Sequence, residues 1–509
     1  VKDTVEEMGL LKMDFLGLRN LTIIRDALAM IKQDTGEEIN LANIDYNIEG
    51  VYQMLAAGNT DGVFQLESRG MRSFIRELKP KTLEDIIAGI SLFRPGPMDQ
   101  IPAYIKNKNN PDGVTYKHPL LKPILDVTYG CMVYQEQVME ICRNLGGYSF
   151  GRADLVRRAM SKKKFDVMEQ EAKNFVYGIT DENGNVTLSG AIRNGVPEDV
   201  AISIFDEMIE FANYGFNKSH AACYAFIAYW TAYLKFKYPL HFMAALLSSV
   251  LSDSAKIYQY ITDCERIGIK VLPPDINSSY DGFTVVEGNI RFGLGAIKNV
   301  GLNVISSIVN ERKKAAFTDF TDFAERMQGR DLNKRTVESL IRAGAFDSLP
   351  HSRAQLLEAF ERILDRLANE KKGNAAGQLS LFGDVLSEKP NDYKDIPELS
   401  MKEILQMEKE MLGLYVSGHP LENYADKVSK IPHLSCGDIS LAQSGDLDAK
   451  AKDGDRVTFI GILANRKDKV TKTGSTMTFL NMEDTFGTIE TVVFSTLFTK
   501  TKHILTENA

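Results

Sequence analysis

Lys12 and Asp14 lie in the run Leu10 to Leu16, whose alternation puts Leu11, Met13 and Phe15 on one face and Lys12 and Asp14 on the other. That is the period of a half-buried strand. A carboxylate beside an ammonium suits Mg²⁺ and phosphate, the components of two-metal nucleotidyl transfer. A solvated strand face explains the same pair and, from these two residues alone, is the better reading. Two metals need several carboxylates, and Asp446-x-Asp448 falls in a polar loop rather than on a strand. A second group, Arg157, Arg158, Lys162, Lys163 and Lys164, puts like charges at i and i+4 of a helix, which costs stability unless an anion faces them. A polyphosphate or a DNA backbone would be such an anion, and a solvated basic face is the equal alternative.

In Gly215-Phe216-Asn217-Lys218-Ser219-His220 a glycine turn leads to Ser219 as helix cap, with Lys218 and His220 beside the first free N–H groups. This predicts a phosphate-ready helix N-terminus, against a capped helix with a chance lysine. The aromatics that follow, Tyr224, Phe226, Tyr229, Trp230 and Tyr233, have apolar neighbours and read as core rather than as a base-stacking platform. Ile297-Lys298-Asn299-Val300-Gly301, followed by helical Val304, Ile305 and Ile308, has the form of a helix-hairpin-helix. There Lys298, Asn299 and Gly301 would approach a phosphate without reading sequence. A second copy around Gly344, in Ile341 to Phe346, favours that reading over an ordinary helical hairpin. Gln378, Leu379, Ser380, Leu381 and Phe382 place one amide and three apolar anchors in a polar linker, the form of a peptide for a partner's groove. The region 456–494 alternates as a β-meander, with Lys467, Lys469 and Lys472 in its first hairpin, and suits an open barrel binding single strands.

The elements that must position these groups follow from length and punctuation. A chain of 509 residues is too long for one core and predicts about three or four units. Apolar (44%) and charged (25%) fractions are ordinary for a globular protein and exclude wholesale disorder. Five scattered cysteines without a Cys-x-x-Cys pair suit a reducing cytoplasm. The apolar run Ala221 to Leu234 is short of the roughly 20 residues that cross a bilayer, so no membrane partner is expected. A net charge of −8 argues against nucleic acid only if read globally, because basic residues cluster locally. From Asn20, taken as a cap, Ile24, Leu28 and Ile31 have helical spacing. The chain starts at Val1 with a strand already in progress, so further sequence is expected upstream.

The ordered motifs Gly9-Leu10-Leu11-Lys12-Met13-Asp14-Phe15-Leu16-Gly17-Leu18, Gly62-Val63-Phe64-Gln65-Leu66-Glu67-Ser68, Phe93-Arg94-Pro95-Gly96-Pro97, Tyr134-Gln135-Glu136-Gln137 and Arg157-Arg158-Ala159-Met160 resemble the bacterial DNA polymerase III alpha-subunit family. The Lys218-Ser219-His220 segment agrees. The resemblance implies a multidomain α+β protein. Its parts would be a palm remnant over 1–55, a large helical fingers domain over 56–275 and a tandem helix-hairpin-helix module over 276–365. A linker with a clamp-binding peptide over 366–395, a helical connector over 396–453 and a truncated OB-fold β-barrel over 454–509 would follow. It makes Asp14 a metal-binding aspartate for one of two Mg²⁺ ions, with Lys12 its companion, and turns Arg94, Arg157, Arg158, Lys218, Ser219 and His220 toward the nucleotide. Expected partners are primed DNA, deoxynucleoside triphosphates, the sliding clamp at Gln378 to Phe382, other replicase subunits, and single-stranded DNA at the OB region. The PHP domain, the thumb and two further palm aspartates are missing from the sequence, so this piece alone is not expected to extend a primer. A non-catalytic DNA-binding and clamp-binding scaffold, or a repair enzyme with the same hairpins, are the competing classes.

Overall fold

The computed structural model describes residues 5, 8–11, 13, 15, 17–161, 165–212, 215–330, 332–375, 393–443, 449–471, 474–485 and 487–505. Its contacts divide the chain into two compact units, one of residues 40–236 and one of residues 1–39 with 237–509. The span 56–275, read from sequence as one helical domain, therefore contributes to both.

The 40–236 unit is helical, with one short hairpin, Ile179–Thr180 against Val186–Leu188, closing the Asp181 to Asn185 loop. Two apolar cores fill it. In the first, Val51, Leu55, Leu66, Ile75 and Ile86 meet Ala221, Ala225, Ala228 and Tyr229 of the Lys218–Lys237 helix. The second gathers Val138, Ile141, Cys142 and Leu145 with Phe175, Phe205 and Met208. The Gln135–Gly146 helix belongs to the second core, while Tyr134 just before it belongs to the first, so the Tyr134 to Gln137 turn couples the two. Gln137 holds that turn. Its buried side-chain oxygen accepts from the N–H groups of Val133 (2.8 Å) and Tyr134 (2.9 Å), and its amide donates to Thr128 Oγ1 at 2.8 Å. Tyr229 is fully buried and donates to the Asp45 carbonyl, and Trp230 Nε1 donates to Tyr46 Oη, so these aromatics are packing residues.

In the other unit the Arg19–Thr35 helix buries Ile23, Ile24, Ala27 and Ile31 and packs on the Pro239–Ser248 helix, with Asp34 Oδ2 3.0 Å from His241 Nε2. The helix starts one residue before Asn20, and Leu18 precedes it in extended conformation without a side-chain cap. The strand expected over Leu10 to Leu16 is not formed in the described residues, where Leu11, Met13 and Phe15 are exposed. A lone extended segment lacks the neighbour that makes a strand, and no described strand pairs with it.

The hairpin region has helices Leu302–Arg312, Phe320–Arg326, Lys334–Arg342 and Arg353–Ala375 around the rings of Phe317, Phe320, Phe323 and Phe346. The last of these helices runs into the span expected as linker. The C-terminal region forms the meander Ile462–Val470, Thr476–Asp484 and Gly487–Val493, all antiparallel neighbours. Its outer strands do not pair with each other, so among the described residues this region is an open three-stranded sheet. Arg466 grips Asp468 through two hydrogen bonds of 2.8 and 2.7 Å. Those bonds bring the Asp468 carboxyl from its ordinary 3.8 down to about 2. A carboxyl lowered on folding stabilises at pH above its unfolded value and loses that contribution as pH falls toward the folded one. Asp468→Asn should therefore lower the thermal midpoint at neutral pH, with the gap to wild type closing between about pH 5 and 2. A pH-independent gap across a melting series would rule the pairing out as its cause.

Candidate nucleotide and DNA contact sites

The Lys218–Lys237 helix and the Gln135–Gly146 helix start side by side. Gln135 N–H donates to the Phe216 carbonyl at 2.9 Å, and Gln135 Nε2 donates to the Gly215 carbonyl at 3.0 Å. Gly215 permits that approach, since a Cβ there would stand 2.7 Å from the Phe211 ring and 3.2 Å from Gln135 Cγ. At the helix start Asn217 Oδ1 accepts from His220 N–H at 2.8 Å, so the cap is Asn217 and not Ser219, which is exposed. Ser219 lies inside the first turn, where its oxygen cannot reach back to the N–H groups ahead of it. The Glu136 carboxylate accepts from Lys218 N–H at 3.0 and 3.2 Å and from Asn217 Nδ2 at 2.9 Å. A carboxylate of the protein thus occupies the end expected to await a phosphate.

Lys218 Nζ lies 3.1 Å from Glu84 and 5.1 Å from the centre of the Tyr134 ring. The Arg94 guanidinium stacks on Phe216 at 4.0 Å from the ring centre, and burial holds its pKa below the usual arginine value. The turn carrying Arg94 depends on Gly96, at φ +102°. Phe216 meets His220 edge-on, and His220 meets Tyr224 at 4.4 Å, an aromatic row beside the helix start.

Arg157 and Arg158 lie on the Phe150–Ser161 helix. The anion facing them is Asp154: Oδ1 takes Arg157 Nη2 at 2.8 Å and Oδ2 takes Arg158 Nε at 2.7 Å. Those bonds, led by the one from Arg157, hold the Asp154 carboxyl below the ordinary range. Arg157 Nη1 also donates to Gln135 Oε1 at 2.9 Å, tying this helix to the turn above. Gln135, Glu136, Asp154, Arg157 and Asn217 border one cleft of about 400 Å³. The structure therefore brings Arg157 to the turn that starts the Lys218 helix, while Arg158 is two-thirds exposed. Lys162, Lys163 and Lys164 lie outside the described residues.

At the first hairpin Asn299 takes φ +66°, its amide donates to Ser339 Oγ and its carbonyl accepts from Thr336 Oγ1. Lys298 Nζ donates to the Glu410 carbonyl at 2.7 Å. Gly301 is exposed just before the Leu302–Arg312 helix, whose first N–H groups lack intrahelical partners as at any helix start. Gly344 is buried at φ +80°, its N–H donates to the Ile341 carbonyl at 2.9 Å, and a Cβ there would lie 2.3 Å from Arg353 Nη2.

Lys12, Asp14 and the segment Gln378 to Phe382 fall outside the described residues. Among those described, no three or more His, Cys, Asp or Glu side chains gather so as to hold a metal ion, so the two-ion Mg²⁺ site is not built by them. No described helix is long and apolar enough to cross a membrane. The sequence reading missed Glu136, Asn217, Asp154 and Glu84. Asp154 was visible as the acid three and four residues before the arginines.

A helical body with a basic and aromatic cleft, in a chain that also carries helical hairpins, matches two known families. Residues 20–183 match the model of the bacterial DNA polymerase III alpha subunit finger domain, and residues 268–356 match a helix-hairpin-helix motif. Over its length the chain is 40% identical to the DNA polymerase III subunit alpha of Bacillus subtilis, with 100% of the chain and 43% of that relative covered. The Borreliella burgdorferi subunit is 40% identical, covering 99% of the chain and 43% of the relative. The Thermus aquaticus subunit is 42% identical, covering 96% and 39%. The chain belongs to the bacterial DNA polymerase III alpha-subunit family, and it spans about two fifths of the length of these relatives.

Proposed function

We propose that this chain supplies the nucleotide-gripping and duplex-holding parts of a template-directed DNA polymerase, which adds deoxynucleotides to a primer 3'-OH. The observation that carries the reading is the cleft where Arg157 and the start of the Lys218 helix meet, with Arg157 oriented by Asp154 and Gln135 and Lys218 Nζ paired with the half-exposed Glu84, which a polyphosphate can replace. Phosphoryl transfer asks a protein chiefly for positioning and charge stabilisation, and fixed guanidinium and ammonium groups meet that demand. Arg94, Arg158, Ser219 and His220 complete the nucleotide surface in this reading, and Lys298, Asn299, Gly301 and Gly344 shape hairpins that hold the duplex backbone. Gly344 does so through loop shape, because its N–H is engaged internally. Asp14, with Lys12 beside it, is assigned to Mg²⁺ binding, where the ion would neutralise charge on the phosphates. Gln378 to Phe382 is assigned to the sliding clamp, and the open meander to single-stranded DNA.

The test is primer extension by the full-length subunit carrying this chain. Lys218→Ala should raise the KM for deoxynucleotide about tenfold, the loss of one charge-assisted contact. An unchanged KM would reject the nucleotide reading, and a normal rate from Asp14→Ala would remove that residue from metal binding. Binding of primed DNA without any extension by the wild type would favour the scaffold class instead.

A further inference from the structure

The helix start at Lys218 is shaped by a residue 82 positions away in sequence. Glu136 accepts from the Lys218 backbone N–H and from the Asn217 side chain, and Asn217 in turn caps His220 N–H. One half-buried carboxylate thereby fixes three parts of the segment: the cap, the lysine backbone and, through the cap, the histidine. The same turn holds Gln135, whose Oε1 orients Arg157. Because Glu136 already fills the hydrogen-bonding position at Lys218 N–H, a ligand phosphate meets the side chains of Lys218 and Arg157 rather than that backbone end. Lys218 Nζ, by contrast, is paired with Glu84, whose side chain is 49% exposed. That pair is free to exchange.

We infer that Glu136 is a positioning residue of this site, which holds the Asn217 to His220 segment in place while the Lys218 ammonium exchanges Glu84 for a phosphate of the incoming nucleotide. This rests on the nucleotide reading above. The two carboxylates then have opposite consequences. Removing Glu136 loosens the segment and weakens nucleotide binding. Removing the charge of Glu84 frees Lys218 from its internal competitor and strengthens it.

The experiment measures KM and kcat for deoxynucleotide on a primed template with the full-length subunit, together with thermal melting. Glu136→Ala should raise KM about tenfold with a smaller change in kcat. Glu136→Gln, which keeps one acceptor oxygen, should recover part of that loss. Glu84→Gln should lower KM about two- to fivefold, the range of an exposed ion pair, an effect that a structural defect would not produce. Raised KM for Glu136→Ala at wild-type melting temperature, with lowered KM for Glu84→Gln, supports the inference. If Lys218→Ala raises KM but Glu136→Ala leaves it unchanged, or Glu84→Gln raises it, the inference fails and the nucleotide reading stands. If Lys218→Ala also has no effect, both fall.

Discussion

Replacing Arg353 by alanine should destabilise the hairpin unit by about 3–5 kcal/mol, the cost of leaving one member of a buried ion pair without its partner. The Arg353 side chain is 3% exposed and Glu408 opposite it 1%. Arg353 Nη2 donates to Glu408 at 2.9 Å, and its Nε and Nη2 donate to Asp347 at 2.9 and 2.6 Å. The remaining Glu408 oxygen accepts from the N–H groups of Val416 and Ser417, both at 2.9 Å. One guanidinium thus fastens the Arg353–Ala375 helix to the Met401–Leu412 helix and, through Glu408, to the turn that follows it. The same group fills the space beside Gly344, so the glycine expected to face phosphate is required by the fold as well. Hydrogen exchange at the amides of Val416 and Ser417 is the direct readout, since these groups are protected only while the network is closed. The double change Arg353→Met with Glu408→Leu should cost less than the sum of the single changes, because the fully buried Glu408 carboxylate is then not left unpaired and only the half-exposed Asp347 loses its partner. Protection in Arg353→Ala within about 1 kcal/mol of wild type would mean that Glu408 finds solvent or another partner.

What sequence could and could not show divides along contact distance. Local pattern was enough for the hairpin helices, the meander and the placing of Tyr229 and Trp230 in a core, since each depends on spacing within about one element. The strand expected over Leu10 to Leu16 is absent from the described residues of that run, since alternation specifies a face and not a partner. Ser219 was preferred as cap for its residue type, whereas the cap is set by where the helix begins, and that is decided by Glu136 and Gln135 some eighty residues earlier. Charge signs were legible and their pairing was not. Lys298 looked free for DNA until the Glu410 carbonyl, 112 residues on, was seen to hold it. Whether the meander belongs to a barrel depends on which strands pair, a property of the whole sheet that local spacing does not carry.

The second large effect is expected at Arg157. Arg157→Ala in the full-length subunit should raise the KM for deoxynucleotide about a hundredfold, roughly 2.7 kcal/mol, the scale of a multidentate charge-assisted contact. Three of its N–H groups are directed by Asp154 and Gln135, with bonds of 2.9, 2.8 and 2.9 Å, and its side chain is 24% exposed, so the guanidinium is oriented before any ligand arrives. Such preorganisation lowers the entropy lost on binding. Arg158, with its side chain 63% exposed and bonded to Asp154 alone among these partners, should cost less, about tenfold or under. Arg157→Lys should not rescue, because an ammonium cannot keep both Gln135 and Asp154 in the planar fork geometry while reaching a phosphate. Asp154→Asn separates orientation from charge: it leaves both arginines in place but releases them, so KM should rise while the salt dependence of nucleotide binding steepens. Equal effects of Arg157→Ala and Arg158→Ala would show that charge density, and not the fixed geometry beside the Lys218 helix, is what the nucleotide meets.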